Sequence, residues 1–188
     1  MNWAVYYAIR AIKHMEVHIL RLSHRAERDK RVTTHLGLVA RAFGASKMMV
    51  TGLKDEHLAD SIRRVAESWG GPFEVEFVGG WKSVIDRYKK LGYTTVHLTM
   101  YGLPVQEEAP KVSKSKKVLV IVGGEKVPFE VYQEMDYNIA VTSQPHSEIS
   151  ALAVFLDRLF AGKELEKGFS GATRAIVPQK CGKKIVEK

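Results

Sequence analysis

Short apolar runs alternate with amphipathic stretches along nearly the whole chain. Residues 16–22 alternate apolar and polar side chains as a strand does, and 33–43 read as a helix with Thr33 or Thr34 as its cap and Gly44 as its stop. A short apolar strand follows at 47–51. Residues 55–69 form an amphipathic helix with Leu58, Ile62, Val65, Ala66 and Trp69 on one face, halted by Gly70-Gly71-Pro72. The pattern repeats with a strand at 73–77, a helix at 81–91 ended by Gly92, and a β-branched strand at 94–99 broken by Tyr101-Gly102-Leu103-Pro104. Residues 107–117 are polar and lysine-rich and are read as a surface connection or poorly packed helix. The almost wholly apolar run 118–122 suits a strand buried on both faces of a parallel sheet. A short helix at 131–135, a last strand at 137–141 and a long helix at 146–160 complete the series, with Ile149, Leu152, Ala153, Leu156, Leu159 and Phe160 as the apolar face of that helix. Residues 175–177 add a short strand or docking segment. This alternation predicts the α/β class, with a mainly parallel sheet flanked by helices.

The chain has 188 residues, 45% of them hydrophobic, enough for one packed domain, placed at 15–162. Residues 1–14 are read as an N-terminal extension and 163–188 as a basic C-terminal segment docked on the domain. A formal charge of +8 favours an anionic partner, nucleic acid first. The excess gathers at the two ends, with Arg21, His24, Arg25, Arg28, Lys30, Arg31 and Arg41 near the first predicted helix. One cysteine, Cys181, excludes an internal disulfide framework and a cysteine-rich zinc site, and no metal is expected. No apolar run approaches the ~20 residues that span a bilayer, and the first 14 residues lack a signal-peptide cleavage site. A cytoplasmic protein with no membrane partner is the expectation.

Two strands empty into polar loops that lead into helices. In α/β sheets, ligands sit at such strand ends, where loop amides and helix N-termini converge. The first loop, Gly123 to Pro128, offers close backbone approach at its two glycines, yet it has neither the dinucleotide G-x-G-x-x-G nor the phosphate-loop spacing. The second runs from Thr142 to Glu148, where Pro145, Ser147 and Glu148 also suit a helix start. A third region, Arg31 to Arg41, holds His35 six residues before Arg41 and is read as an anion contact.

The segments RLSHRAERDKRVTTHLGLVARAFGA, HLTMYGLP, VGGEKVP and NIAVTSQPHSEISALAVFLDR resemble the archaeal tRNA cytidine-56 2′-O-ribose methyltransferases, a branch of the SPOUT superfamily. The resemblance covers about residues 16–180. It implies S-adenosyl-L-methionine as cofactor, a ribose 2′-hydroxyl of tRNA as acceptor, a C-terminal trefoil knot and a homodimer. Carried over by position, the cofactor would meet Leu98, then Gly123, Gly124, Glu125, Lys126 and Val127, then Val141, Thr142, Ser143, Gln144, Pro145, His146, Ser147 and Glu148. Arg25, Arg28, Arg31 and Arg41 are the expected RNA contacts. Arg41 is the expected catalytic clamp on phosphate and developing alkoxide, with His35 or Glu125 taking the proton. His35 stands where related ribose methyltransferases carry Asn, and His146-Ser147-Glu148 where they carry Ser-Leu-Asn. The alternatives are a non-catalytic RNA-binding module and a SPOUT enzyme that methylates a base.

Overall fold

The computed structural model describes residues 15–124 and 126–188. Elements alternate from β1 (Glu16–His24), α1 (Ala26–Ala42), β2 (Lys47–Gly52) and α2 (Glu56–Trp69) to β3 (Glu74–Val78) and α3 (Trp81–Lys90). There follow β4 (Thr94–Pro104), α4 (Val105–Val112), β5 (Lys117–Val122), α5 (Phe129–Glu134), β6 (Tyr137–Ala140) and α6 (Glu148–Phe160). A short antiparallel pair, β7 (Arg174–Val177) and β8 (Lys184–Glu187), closes the chain.

The six strands β3-β2-β1-β5-β4-β6 lie side by side in that order and all pair in parallel. Strand periodicity explains why the central strands are apolar throughout. In β5, Val118, Val120 and Val122 enter one core, while Leu119 and Ile121 enter the other; Val17 and Ile19 are separated from Leu20 and Leu22 of β1 in the same way. The larger core lies under α1, α2, α4 and α6, the smaller under α3 and α5. Sequence order reverses between β1 and β5, which run side by side although three strands separate them in the chain. That reversal leaves a crevice at the C-terminal strand ends, the place where sheets of this type hold ligands.

Four expectations need correction. Strand β4 does not break at Tyr101-Gly102-Leu103-Pro104 but runs to Pro104, because after a register shift Leu103 and Pro104 pair again with Ile139 and Ala140 of β6. Helix α1 begins at Ala26, seven residues before the predicted start, because the Asp29 carboxylate reaches back to accept from the Arg25 backbone N–H at 3.2 Å and from its Nε at 3.0 Å. Thr33 is therefore no cap; it is buried in mid-helix, with its hydroxyl 3.0 Å from His24 Nδ1. Residues 105–112 are not a surface connection: α4 buries Val105, Glu108, Ala109 and Val112, and Glu108 pairs with Lys111 Nζ at 2.7 Å. The long helix starts at Glu148, after Ser147, whose hydroxyl accepts from the Ile149 N–H at 3.2 Å.

The C-terminal segment is hydrogen-bonded to the end of α2. The Thr173 N–H donates to Ser68 at 3.1 Å and the Gly71 N–H to Ser170 at 2.8 Å. The predicted short strand is one half of the β7–β8 pair, in which Ile176 faces Ile185. The N-terminal extension read at residues 1–14 lies outside the described residues.

Candidate functional site

A cavity of about 670 Å3 occupies the crevice at the strand ends. Its walls come from β1 (Arg21), β4 (His97 to Tyr101), β5 and its loop (Val122, Gly123, Gly124), and β6 with the loop that follows (Ile139, Val141, Thr142). The starts of α1 and α6 complete it, so two helix N-termini border the same space. Thr142 holds a φ of 137°, a conformation costly for a β-branched residue and of the kind that persists where surrounding structure imposes it.

Arg21 organises the floor. Its side chain is 1% exposed, Nη1 donates to the Gly123 carbonyl, and Nη2 meets Glu148 Oε1 at 3.2 Å. One guanidinium thus ties the β5 loop to the first turn of α6. Burial pulls the Arg21 pKa down and Glu148 pulls it back up. Beside it, His97 is buried, with Nδ1 3.0 Å from Asn138 Oδ1, and burial lowers its pKa. Its ring meets Tyr132 edge-on at 4.7 Å between centroids. On the α1 side, Arg25 and Arg28 bring positive charge to the rim, and hydrogen bonds from Arg25 hold the Asp29 carboxyl below its usual range.

Of the residues expected around the cofactor, the cavity gathers Leu98, Gly123, Gly124, Val127, Val141, Thr142, Gln144, Pro145, His146 and Glu148. Ser143 and Lys126 are exposed and outside its lining, and Ser147 caps α6. Glu125 lies outside the described residues.

The expected catalytic residues on α1 are placed elsewhere. Arg41 is buried, its Nε donates to the Gly70 carbonyl at 3.1 Å with Nη2 on the same oxygen, and its guanidinium lies 4.8 Å from the centroid of Phe169. It closes the end of α2 and holds the C-terminal segment, away from the cavity. His35 and Arg31 are exposed on α1 and do not line the cavity either. Helix α1 reaches the cavity with its first turns, which carry Arg28, Asp29 and Val32 after Arg25, whereas Arg41 sits in its last turn at the other end.

Residues 69–186 match the model of the family described as tRNA ribose 2′-O-methyltransferase, aTrm56. The tRNA (cytidine(56)-2′-O)-methyltransferase of Thermococcus kodakarensis is 51% identical over 173 residues, covering 90% of this chain and 96% of that protein. The protein of the same description from Methanopyrus kandleri is 52% identical over 167 residues, covering 89% and 94%. The chain belongs to this tRNA ribose 2′-O-methyltransferase family.

Solved structures show the same fold at low identity. The SpoU methyltransferase AviRb from Streptomyces viridochromogenes, solved with AdoMet, superposes with a TM-score of 0.58 at 14% identity, covering 82% of this chain and 60% of its own. The TrmH/SpoU tRNA-modifying enzyme of A. aeolicus gives 0.56 at 13% identity, covering 86% and 80%. The fold is therefore that of the SPOUT methyltransferases.

Four residues that line the cavity, Arg21, His97, Tyr101 and Tyr132, are absent from the set expected from the sequence. A signal existed for the first two. Each is a buried ionisable residue between buried apolar neighbours, Leu20 and Leu22 for Arg21 and Val96 and Leu98 for His97, and such a group is a reason to look for a site there. Tyr101 and Tyr132 carried no comparable signal.

Proposed function

We propose that this protein transfers a methyl group from S-adenosyl-L-methionine to the ribose 2′-hydroxyl of cytidine 56 in tRNA. The observation that carries the reading is identity of about half over nearly the full length to tRNA (cytidine(56)-2′-O)-methyltransferases, in a chain whose strand-end loops enclose a cavity. The cavity suits the cofactor. Its volume lies within the ~300–1,000 Å3 of small-molecule sites, Gly123 and Gly124 expose backbone, and Glu148 supplies a carboxylate against a cationic ligand. S-adenosyl-L-methionine supplies a methyl group already activated by its sulfonium.

The chain's own residues then have two tasks, alignment and proton removal. Arg21 fixes the spacing of the Gly123 loop and α6, which sets the shape of the cofactor cradle. Arg25 and Arg28 replace Arg41 in the role of clamp on the phosphate beside the target ribose, where positive charge also favours a developing alkoxide. Arg31 extends the same basic end of α1 and is proposed to contact RNA outside the cavity. Asp29 and Glu148 are engaged by Arg25 and Arg21, so Glu125, next in the chain to Gly124, is the proposed proton acceptor.

The homodimer and the trefoil knot belong to the same proposal. A cytoplasmic location fits the substrate, and among the described residues no helix is long and apolar enough to cross a membrane. The reading is tested by titrating S-adenosyl-L-methionine calorimetrically and digesting treated tRNA to nucleosides for mass analysis. Cofactor binding with a methylated ribose supports it. A methylated base, or RNA binding without cofactor binding, points to the alternatives.

A further inference from the structure

Three aromatic rings stand together beside the cavity. Tyr132, half-buried in α5, is the fixed member: His97 meets its ring edge-on at 4.7 Å, and Asn138 Nδ2 donates to its carbonyl at 2.7 Å. Phe129, one turn earlier in α5, lies roughly parallel to it, with centroids 6.3 Å apart and planes at 29°. Tyr101, from the end of β4, approaches from its other neighbour element at 6.4 Å. Two of these rings are turned to solvent, Tyr101 at 77% exposure and Phe129 at 70%.

Burial of apolar area does not explain side chains so exposed, and core packing requires only Tyr132. Their position is more informative. Tyr101 and Tyr132 line the same cavity as Arg25 and Arg28, so one space presents aromatic faces and guanidinium groups together. Those are the two chemistries a nucleotide offers to be bound, a flat π-face and a phosphate. A cluster of three rings is also small beside the ~800 Å2 per partner that a stable protein interface buries. A ribose presented at the cavity mouth brings its own base to the same surface, and proteins that recognise unpaired RNA stack such splayed bases on aromatic side chains.

We propose that Tyr101, Phe129 and Tyr132 form a stacking shelf for the nucleobase of the nucleotide whose ribose is methylated. This rests on the assignment of the cavity to ribose methylation. Tyr132 and His97 hold the shelf rigid, Tyr101 contributes the face nearest the cavity, and Arg25 and Arg28 take the adjoining phosphate. Stacking reads a π-face and not a hydrogen-bonding edge, so the shelf adds affinity and orientation with little base discrimination.

The test compares Tyr101→Ala, Tyr101→Phe and Phe129→Ala with the wild type on a tRNA transcript, and on the same transcript with an abasic ribonucleotide at the target position. Tyr101→Ala is expected to lower kcat/KM on intact tRNA about 10- to 100-fold, the range that loss of one base–aromatic stack gives, and Phe129→Ala by less. Tyr101→Phe retains the ring and stays within a few-fold of wild type. On the abasic transcript the wild type loses a similar factor, and Tyr101→Ala loses no more. Cofactor affinity by calorimetry and oligomeric state by sedimentation are expected to stay unchanged in every variant. Unchanged kcat/KM for Tyr101→Ala overturns the shelf. A shift toward monomer assigns the rings to contact between copies of the chain, and weakened cofactor binding assigns them to the cofactor wall; either overturns it too. A wild type that methylates no tRNA ribose refutes the functional reading instead, so the two failures are distinct.

Discussion

Replacing Arg21 with Met should loosen the proposed cofactor cradle and the fold together. Two charge-assisted hydrogen bonds are lost, one to the Gly123 carbonyl and one of 3.2 Å to Glu148, at about 1.5–3 kcal/mol each. Two effects offset this. Arg21 Nε is buried without a partner, so its removal returns about 1–3 kcal/mol of desolvation cost. Glu148 is 30% exposed and can rehydrate, and it stays at the favourable end of the α6 dipole. The net loss is about 2–3 kcal/mol. At roughly 2–4 °C per kcal/mol for a domain of this size, Tm falls by about 4–12 °C. Calorimetric titration should also show cofactor affinity reduced about ten-fold or more, since the Gly123 loop is no longer held in its binding position. Glu148→Gln keeps an acceptor for Arg21 but leaves its buried guanidinium without an anion, so it too is expected to lower Tm. A Tm within about 2 °C of wild type together with unchanged cofactor affinity would refute the role given to Arg21.

Other perturbations separate packing from chemistry. Arg41→Lys should lower Tm by several degrees, because the double contact with the Gly70 carbonyl and the face of Phe169 is lost, while the folded fraction turns over normally; a fully folded variant without turnover would return Arg41 to the reaction. Arg28→Ala should weaken tRNA binding and reduce the slope of log affinity against log salt by about one, with cofactor affinity unchanged. His18, His24 and His97 all have pKa values pushed down by burial, so the unfolded chain binds more protons than the folded one below about pH 6.5. Their contribution to stability is complete above that pH and is lost as pH falls through the lower folded values. Urea midpoints measured between pH 8 and 5 should therefore decline on the acid side, and His97→Asn should flatten the decline. Gly102→Ala would place a Cβ 2.5 Å from the Asn138 carbonyl and the Ile139 nitrogen, backbone atoms that cannot turn aside; a drop in Tm and in cofactor binding is expected, and wild-type values for both would contradict the close β4–β6 approach.

The order of strands and helices was readable because parallel sheets write themselves as short apolar runs between amphipathic stretches. The 118–122 run and the helix closing on Phe160 are plain examples. Where the reading failed, polarity had misled it. The first turns of α1 are almost wholly charged, so the helix showed itself only where its buried face began, and the turn that reaches the cavity was hidden. Helix α4 was hidden similarly, by Pro110, its charges and a buried Glu108. Loop residues of the cavity were legible from glycines and cap chemistry. The Arg21 tie was not, since its partners are 102 and 127 residues away in sequence, and neither was the aromatic group, which β4 and α5 bring together only after folding.

Methyl transfer to one ribose of tRNA is read most directly from the position of the mark. An unmodified tRNA transcript incubated with the purified protein and S-adenosyl-L-methionine can be cut into oligonucleotides and mapped by mass spectrometry. A single added methyl is expected, on the 2′-oxygen of cytidine 56, and none when that ribose is replaced by deoxyribose. A methyl on a base, on another ribose, or on the deoxy-substituted transcript would contradict it.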